Sequence, residues 1–420
     1  MGRVLRTREL INRQVLLVAA LVIGVAGTIQ GGTISYDDAG KTIIVAGFRE
    51  DAPCTLSETL AWDKAEERGL VSHDLDLDVY TINANLRIGT DGRLSTYFLV
   101  GTKERPREQL VLTGDLVVPA PALRTFANVL QLGSGTDESV TPALTIRDGR
   151  QIVVRSRAHG ANGEFRAYHA TIRGEPSAKV DLDGRIDWQD CRISGFRRAL
   201  YGGSGNNGRE IIRRNIFADC GTVFPPGCSF RNVEDCTISK CDVAIHGLSE
   251  RKESILRNCV FEDNKVNVVL KGSRCTLINP QLGEAGSPDT VTDATWKGVE
   301  YKGRLVVKRH MFVEVVDAAG DPLENAVVEV TNESADGPIP ERGRTITDWD
   351  GFSPDRYSGP IVVTDYIQTA PDGGPGTTAY TYQIEVRKDA YEQKIVKHVD
   401  PDNSWVGQET SVKVTLEQAE

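Results

Sequence analysis

The sequence predicts an all-β chain: a solenoid of short stacked strands, closed at its start by one capping helix and followed by a β-sandwich. Three observations predict it. Five segments within residues 187–282 repeat with apolar residues in fixed columns. Beyond residue 309 come six runs in which polar and apolar residues alternate. Gly is frequent, at 41 of 420 residues, and aromatics make up only 6%, a balance that favours short strands and turns over helical bundles. The length suggests two or three domains. The segments expected are 1–30 (signal peptide, or membrane or strand anchor), 31–110 (hairpin, capping helix and first strands), 111–286 (solenoid), 287–308 (linker) and 309–420 (sandwich).

Arg3, Arg6, Arg8 and Arg13 precede an uncharged run from Val15 to Ile29. The run falls short of the ~20 residues that span a bilayer. A basic start, a short apolar stretch and the small residues Gly24, Ala26 and Gly27 fit a secretory signal. A buried strand is the alternative. Thr33–Tyr36 and Thr42–Val45 flank the turn-rich Asp37–Lys41 and predict a hairpin. Thr55 and Glu58 have capping-box spacing, with Leu56, Leu60 and Ala61 on one face, so a helix is expected there, ending near Gly69. It would cover the first exposed turn of the solenoid. Short strands follow, among them Val79–Ile82, Gln109–Leu112, Val129–Leu132, Ala143–Ile146 and Gln151–Val154, without a readable repeat.

From residue 187 the repeat is readable. Taking Cys191, Asn215, Cys236, Cys259 and Cys275 as equivalent gives spacings of 24, 21, 23 and 16 residues. Two residues after each stand Ile193, Phe217, Ile238, Phe261 and Leu277. Three before stand Trp188, Ile212, Val233 and Leu256; nine after stand Leu200, Phe224, Ile245 and Val268. Repeats of this length signal a stacked architecture. The anchor and the residue two later share a face, as strand alternation requires. Phe196, Cys220, Cys241 and Asn264 form a further column that turns a corner inward.

These columns resemble the right-handed parallel β-helix, or pectin-lyase-like, superfamily, and the resemblance covers residues 187–282. It implies a fold and says little of function. Near Ser287 the pattern stops, and a Gly/Ser/Pro/Asp/Thr-rich stretch follows. Val315–Val328, with Asp317-Ala-Ala-Gly-Asp-Pro at its turn, Thr347-Asp-Trp-Asp-Gly and Tyr382–Tyr391 then resemble carboxypeptidase-regulatory-like or transthyretin-like domains. That resemblance implies an Ig-like sandwich of roughly seven strands over 309–420, a class that serves as stalk, spacer or adhesive module.

The net charge of −10 argues against a nucleic-acid binder, which needs a basic face. Eight cysteines are compatible with an oxidising compartment, but no CxxC pair and no zinc-spaced Cys/His group occurs, so no metal or other cofactor is expected. Cys220 and Cys241 would be neighbours in one column, as a disulfide if oxidised or as stacked thiols.

Carboxylates one or two turns apart would lie ~5–9.5 Å apart, the range glycosidases use. The candidates are Asp187, Asp190, Asp219 and Asp235. Yet one outward column reads Asp190, Arg214, Asp235, Asn258 and another reads Gly195, Asp219, Lys240, Asp263. Cations between carboxylates point to charge-compensated stacking. The pectinase histidine is hinted at only by His246-Gly247, on the surface or at a corner. Gly202–Gly208 lacks the Lys-Ser/Thr of a phosphate loop. Asp348 and Asp350 are expected in a turn rather than on calcium. The expectation is therefore no catalytic residue and a structural or adhesive protein, extracellular or at the cell surface. It would bind glycans or other copies of itself, with a membrane only through its N-terminal segment and no nucleic acid. The alternatives are a polysaccharide lyase or glycoside hydrolase, and a virion tail or decoration protein.

Overall fold

The computed structural model describes residues 27–29, 32–60, 68–92, 94–156, 162–201, 210–226, 230–248, 253–286, 289–354, 359–369, 376–399, 401 and 410–419. The expected N-terminal signal or anchor lies almost wholly outside them, as do the 202–208 loop and the expected later turns of the helix. The described chain is all-β with long parallel sheets. It divides into two compact units, 1–185 and 186–420.

Three ladders build the first unit, and the chain visits them in rotation. Ladder I stacks Thr42–Ala46, Asn85–Ile88, Leu116–Val118, Gln151–Val154 and Lys179–Leu182 in parallel. Ladder II stacks Cys54–Thr55, Thr96–Val100, Asn128–Leu132 and Gly163–Tyr168. Ladder III stacks Val79–Ile82, Gln109–Leu112, Ala143–Ile146 and Thr171–Gly174. Strand alternation turns one side of each inward, so Leu86, Leu116, Ile152 and Val180 form one fully buried column.

All three ladders begin blocked. Gly32–Asp37 pairs antiparallel with the first strand of ladder I, forming the hairpin expected from the sequence. Val71–Asp74 does the same for ladder III. At ladder II the capping box forms: the Thr55 backbone N–H donates to Glu58 Oε2 (2.7 Å) and the Glu58 N–H to Thr55 Oγ1 (3.4 Å). The described helix is short, Leu56–Leu60.

The second unit has three parallel ladders of its own. Ladder IV runs from Ile186–Gln189 through Ile211–Arg213, Val233–Glu234, Glu253–Arg257 and Arg274–Ile278 to Arg304–Asp317. Ladder V holds Arg192–Ser194, Ile216–Ala218, Thr237–Ser239, Val260–Glu262 and Gln281–Leu282. Ladder VI holds Arg198–Tyr201, Thr222–Phe224, Val243–Leu248, Val266–Lys271 and Thr290–Thr292.

The register keeps four of the five expected anchors and moves the fifth. Cys191, Asn215, Cys236 and Cys259 are equivalent, but Val260 pairs with Gln281, so the fifth position is Pro280 and not Cys275. Cys275 lies opposite Ser254, and Leu277 continues the column of Leu256. The last spacing becomes 21 rather than 16 residues, and the repeat runs more regularly than the cysteines alone suggest.

Arg304–Asp317 is a single 14-residue strand with two employments. Residues 304–308 form the last strand of ladder IV, while 304–311 pair antiparallel with Ile361–Thr369 across a bulge at Val307/Lys308. Phe352–Ser353, Gly376–Ala379 and Thr410–Leu416 complete that sheet. A second sheet, in the order 344–346, 327–332, 382–387, 394–399, packs over the same core of Met311, Val313, Val328, Ile384 and Val414.

Candidate functional site

The four aspartates named from the sequence all lie in the second unit. Asp187 projects from ladder IV opposite Ile211 and accepts a hydrogen bond from Gln189 Nε2 (2.8 Å). Asp190, Asp219 and Asp235 stand at corners, with φ of 57°, 55° and 55°. The whole of each corner column shares this left-handed backbone: Asp190, Arg214, Asp235, Asn258 and Asn279 in one, Gly195, Asp219, Lys240 and Asp263 in the other. Asn, Asp and Gly tolerate that conformation best, which explains their recurrence there.

The side chains of the first column are tied from one turn to the next. Arg214 donates to both Asp190 oxygens (2.7 Å each), Asn258 Nδ2 donates to Asp235 Oδ1 (3.0 Å), and Asn279 Nδ2 donates to Asn258 Oδ1 (3.4 Å). Asp190 and Asp235 are two turns apart in one column, a separation of about 9.5 Å that an inverting glycosidase could use. Arg214 stands between them in the register, bound bidentately to one and facing the charge of the other. No two of the four aspartates are neighbours on successive strands.

Inside the same corners, buried amides take the place of water. Asn215 Oδ1 accepts from the Cys191 N–H and its Nδ2 donates to the Trp188 carbonyl, both at 2.8 Å. Asn264 repeats the pattern with Cys241 N–H and the Ile238 carbonyl, both at 3.0 Å. These two residues fit the sequence expectation of inward hydrogen-bonding corners.

His246 is half-buried at the edge of ladder VI. Burial lowers its pKa, and so do Lys271 and Arg198, which face it. The Arg198 guanidinium lies 5.3 Å from the ring centre of the exposed Tyr201. Asp348 closes a turn, accepting from the N–H groups of Asp350 and Phe352 (3.0 and 2.9 Å).

One cluster of ionisable groups escaped the sequence reading. In the first unit His73 stacks on Tyr80, with ring centres 3.9 Å apart, and its Nε2 lies 3.1 Å from Asp78 Oδ1. Arg105 reaches Asp78 (3.4 Å) and the Tyr80 hydroxyl. Glu108 is buried beside them and accepts from the Gly101 N–H (2.9 Å); burial, more than any neighbour, raises its pKa. His73 and Asp78 flank one hairpin, but Arg105 and Glu108 come from the next turn of chain, and no periodic signal joins them. The network fastens the Val71–Asp74 cap onto ladder III.

A cleft of about 410 Å³ opens on the second sheet of the C-terminal region, lined by Glu329, Thr331, Asn332, Ile339 and Arg344 among others. Ile339 is 90% exposed at its rim. Among the described residues no group of three or more His, Cys, Asp or Glu side chains is placed to hold a metal ion, and no helix is long and apolar enough to cross a membrane. Comparison of the chain with family models, with curated proteins and with solved structures finds no match.

Proposed function

We propose that the chain is a non-catalytic scaffold: a right-handed parallel β-helix leading into an Ig-like sandwich, displayed outside the cell, that presents rigid faces to glycan or protein partners. The carrying observation is how the outward carboxylates are used. Asp190 and Asp235 serve left-handed corners and hydrogen-bond to the next turn, with Arg214 between them. An acid–base pair needs the gap between its carboxylates free for a sugar or a water. The shared strand Arg304–Asp317 supports the same reading, because a strand common to both sheets resists bending where a linker would not. Blocked ladder starts favour a discrete particle over growth by strand stacking, since unpaired edges are what strand-by-strand assembly extends. The basic-apolar N-terminal sequence supports export.

A depolymerisation screen against acidic and neutral polysaccharides, run beside a binding assay on the same set, tests the proposal. Binding without chain shortening is expected. Turnover by the wild type that disappears in Asp190→Ala or Asp219→Ala would sink it. The enzyme reading draws on one observation, the Arg198, His246 and Lys271 group beside Tyr201. Turnover lost only in His246→Ala would move the chemistry there. Mass spectrometry of the mature N-terminus separates export, which removes the leader, from a virion component that keeps Met1.

A further inference from the structure

Four of the buried cysteines are arranged as two pairs. Cys236 and Cys259 are equivalent positions on successive turns: Thr237 pairs with Val260, and the Val260 N–H donates to the Cys236 carbonyl (2.8 Å). Cys220 and Cys241 are likewise one turn apart, for Thr222 pairs with Val243 and the Asp242 N–H donates to the Cys220 carbonyl (3.0 Å). All four thiols take the same posture, each directed at the carbonyl two residues before it, at 3.2–3.3 Å. One posture repeated on consecutive turns stacks sulfur over sulfur. Strands in such a ladder run about 4.8 Å apart, which falls within the Cα separations that disulfides bridge, roughly 4.4–6.8 Å.

The other described cysteines supply an internal contrast. Cys191 has Asn215 at the equivalent place on the next turn, and Cys275 stands between Ser254 and Leu305. Cys54 pairs in register with Phe98. None of these three has a thiol one strand away. All seven described cysteines are reduced and buried.

We infer that Cys220–Cys241 and Cys236–Cys259 are two disulfide modification sites, closed when the chain folds in the presence of a small-molecule disulfide oxidant. One cysteine thiolate attacks a sulfur of the oxidant, whose S–S bond breaks and releases one thiol. The paired cysteine then attacks the mixed disulfide, and a second thiol leaves. Two electrons pass from the cysteine pair to the oxidant, and the two cysteine protons end on the released thiols. Each bond would bind a turn to the next and close a loop of 20 or so residues in the unfolded chain, the situation in which a disulfide restrains the unfolded state. In the folded protein the thiols stay protonated: the neighbouring Cys236 and burial hold Cys259 well above the usual thiol range. Protonated, enclosed thiols react slowly, so closure belongs to folding and not to the finished fold.

The full chain is unfolded, then refolded in a mixture of oxidised and reduced glutathione and, separately, in reductant. Free thiols are alkylated and peptides mapped by mass spectrometry. The oxidised sample is expected to lose four thiols, to yield cross-linked peptides containing 220 with 241 and 236 with 259, and to unfold at a higher temperature. Cys54, Cys191 and Cys275 remain alkylated. In Cys241→Ser the 236–259 link persists and Cys220 becomes alkylatable. Retention of all four thiols in a correctly refolded sample overturns the inference, as do links from these four to Cys54, Cys191 or Cys275. A Cys241→Ser chain that fails to refold leaves the wild-type map as the deciding result.

Discussion

The two units solve one problem with different chain lengths. In the second, equivalent positions such as Ile193, Phe217, Ile238 and Phe261 recur at 24, 21 and 23 residues. In the first, Leu86, Leu116, Ile152 and Val180 recur at 30, 36 and 28. The parallel ladders are of the same kind, yet the first unit inserts longer connections, such as 101–108 and 133–142, between its strands. Stacking depends on register within a ladder and tolerates almost any loop outside it. A strict period is therefore a property of tight corners and not of the architecture.

The inward columns offer the largest test of that comparison. Phe217 in the second unit and Phe165 in the first are both fully buried within their columns. Truncation of either to Ala should cost about 3–5 kcal/mol. Chemical denaturation reads both; if Phe165→Ala costs far less, the looser turns of the first unit relax around the cavity and the equivalence breaks. Ile216→Ala, beside Phe217 but 39% exposed, should stay within roughly 0.5 kcal/mol of wild type.

The buried corner amides come next. Asn215→Ala strands the Cys191 N–H and the Trp188 carbonyl, and Asn128→Ala in the first unit strands the carbonyls of Thr90 and Pro119. Each unmet buried group costs about 1–3 kcal/mol. Hydrogen exchange should show the loss concentrated at Cys191 in the Asn215 variant.

This contrast also explains what could be read in advance. The repeat at 187–282 was legible because short corners force both spacing and residue type: Asp, Asn or Gly where φ is positive, Cys or Asn where the corner faces inward. Cys275 misled because it resembles an anchor and stands in a different ladder, five residues before the true equivalent, Pro280. Strands at 79–154 were individually visible, but connections of unequal length hid their register. The outward aspartates were legible as charge-balanced columns; their left-handed backbone was not, since Arg214 and Lys240 occupy the same conformation without a sequence preference for it. The cluster of His73, Asp78, Arg105 and Glu108 was invisible because a lateral contact between successive turns leaves no period.

Buried carboxylates give the comparison a pH dimension. Glu108 in the first unit and Glu210 in the second are both enclosed, and in both burial is the leading cause of a raised pKa. The folded state then holds its proton more tightly than the unfolded state. Stability is highest below the unfolded carboxylate range and declines as pH rises through the folded value. Glu108→Gln and Glu210→Gln should each flatten the decline of the unfolding midpoint between acidic and neutral pH. A flattening in only one variant would assign the pH dependence to that unit.

The smallest expected effect lies at the corners, where it separates a preference from a requirement. Lys240 is exposed with φ 55°, a conformation costing an L-residue about 1 kcal/mol relative to glycine. Lys240→Gly should therefore be stabilising, by about 0.5 kcal/mol once the greater freedom of glycine in the unfolded chain is counted. At the matching kind of corner in the first unit, Gly133 has φ 72°, and a Cβ there would meet the Tyr168 carbonyl oxygen at 2.3 Å. Gly133→Ala adds that clash to the backbone strain and should be clearly destabilising, whereas Lys240→Ala should be nearly neutral. Paired thermal melts of the three variants decide it. Equal losses at both alanines would mean that the second unit's corners are as crowded as those of the first, and that the side chains they carry reflect tolerance less than design.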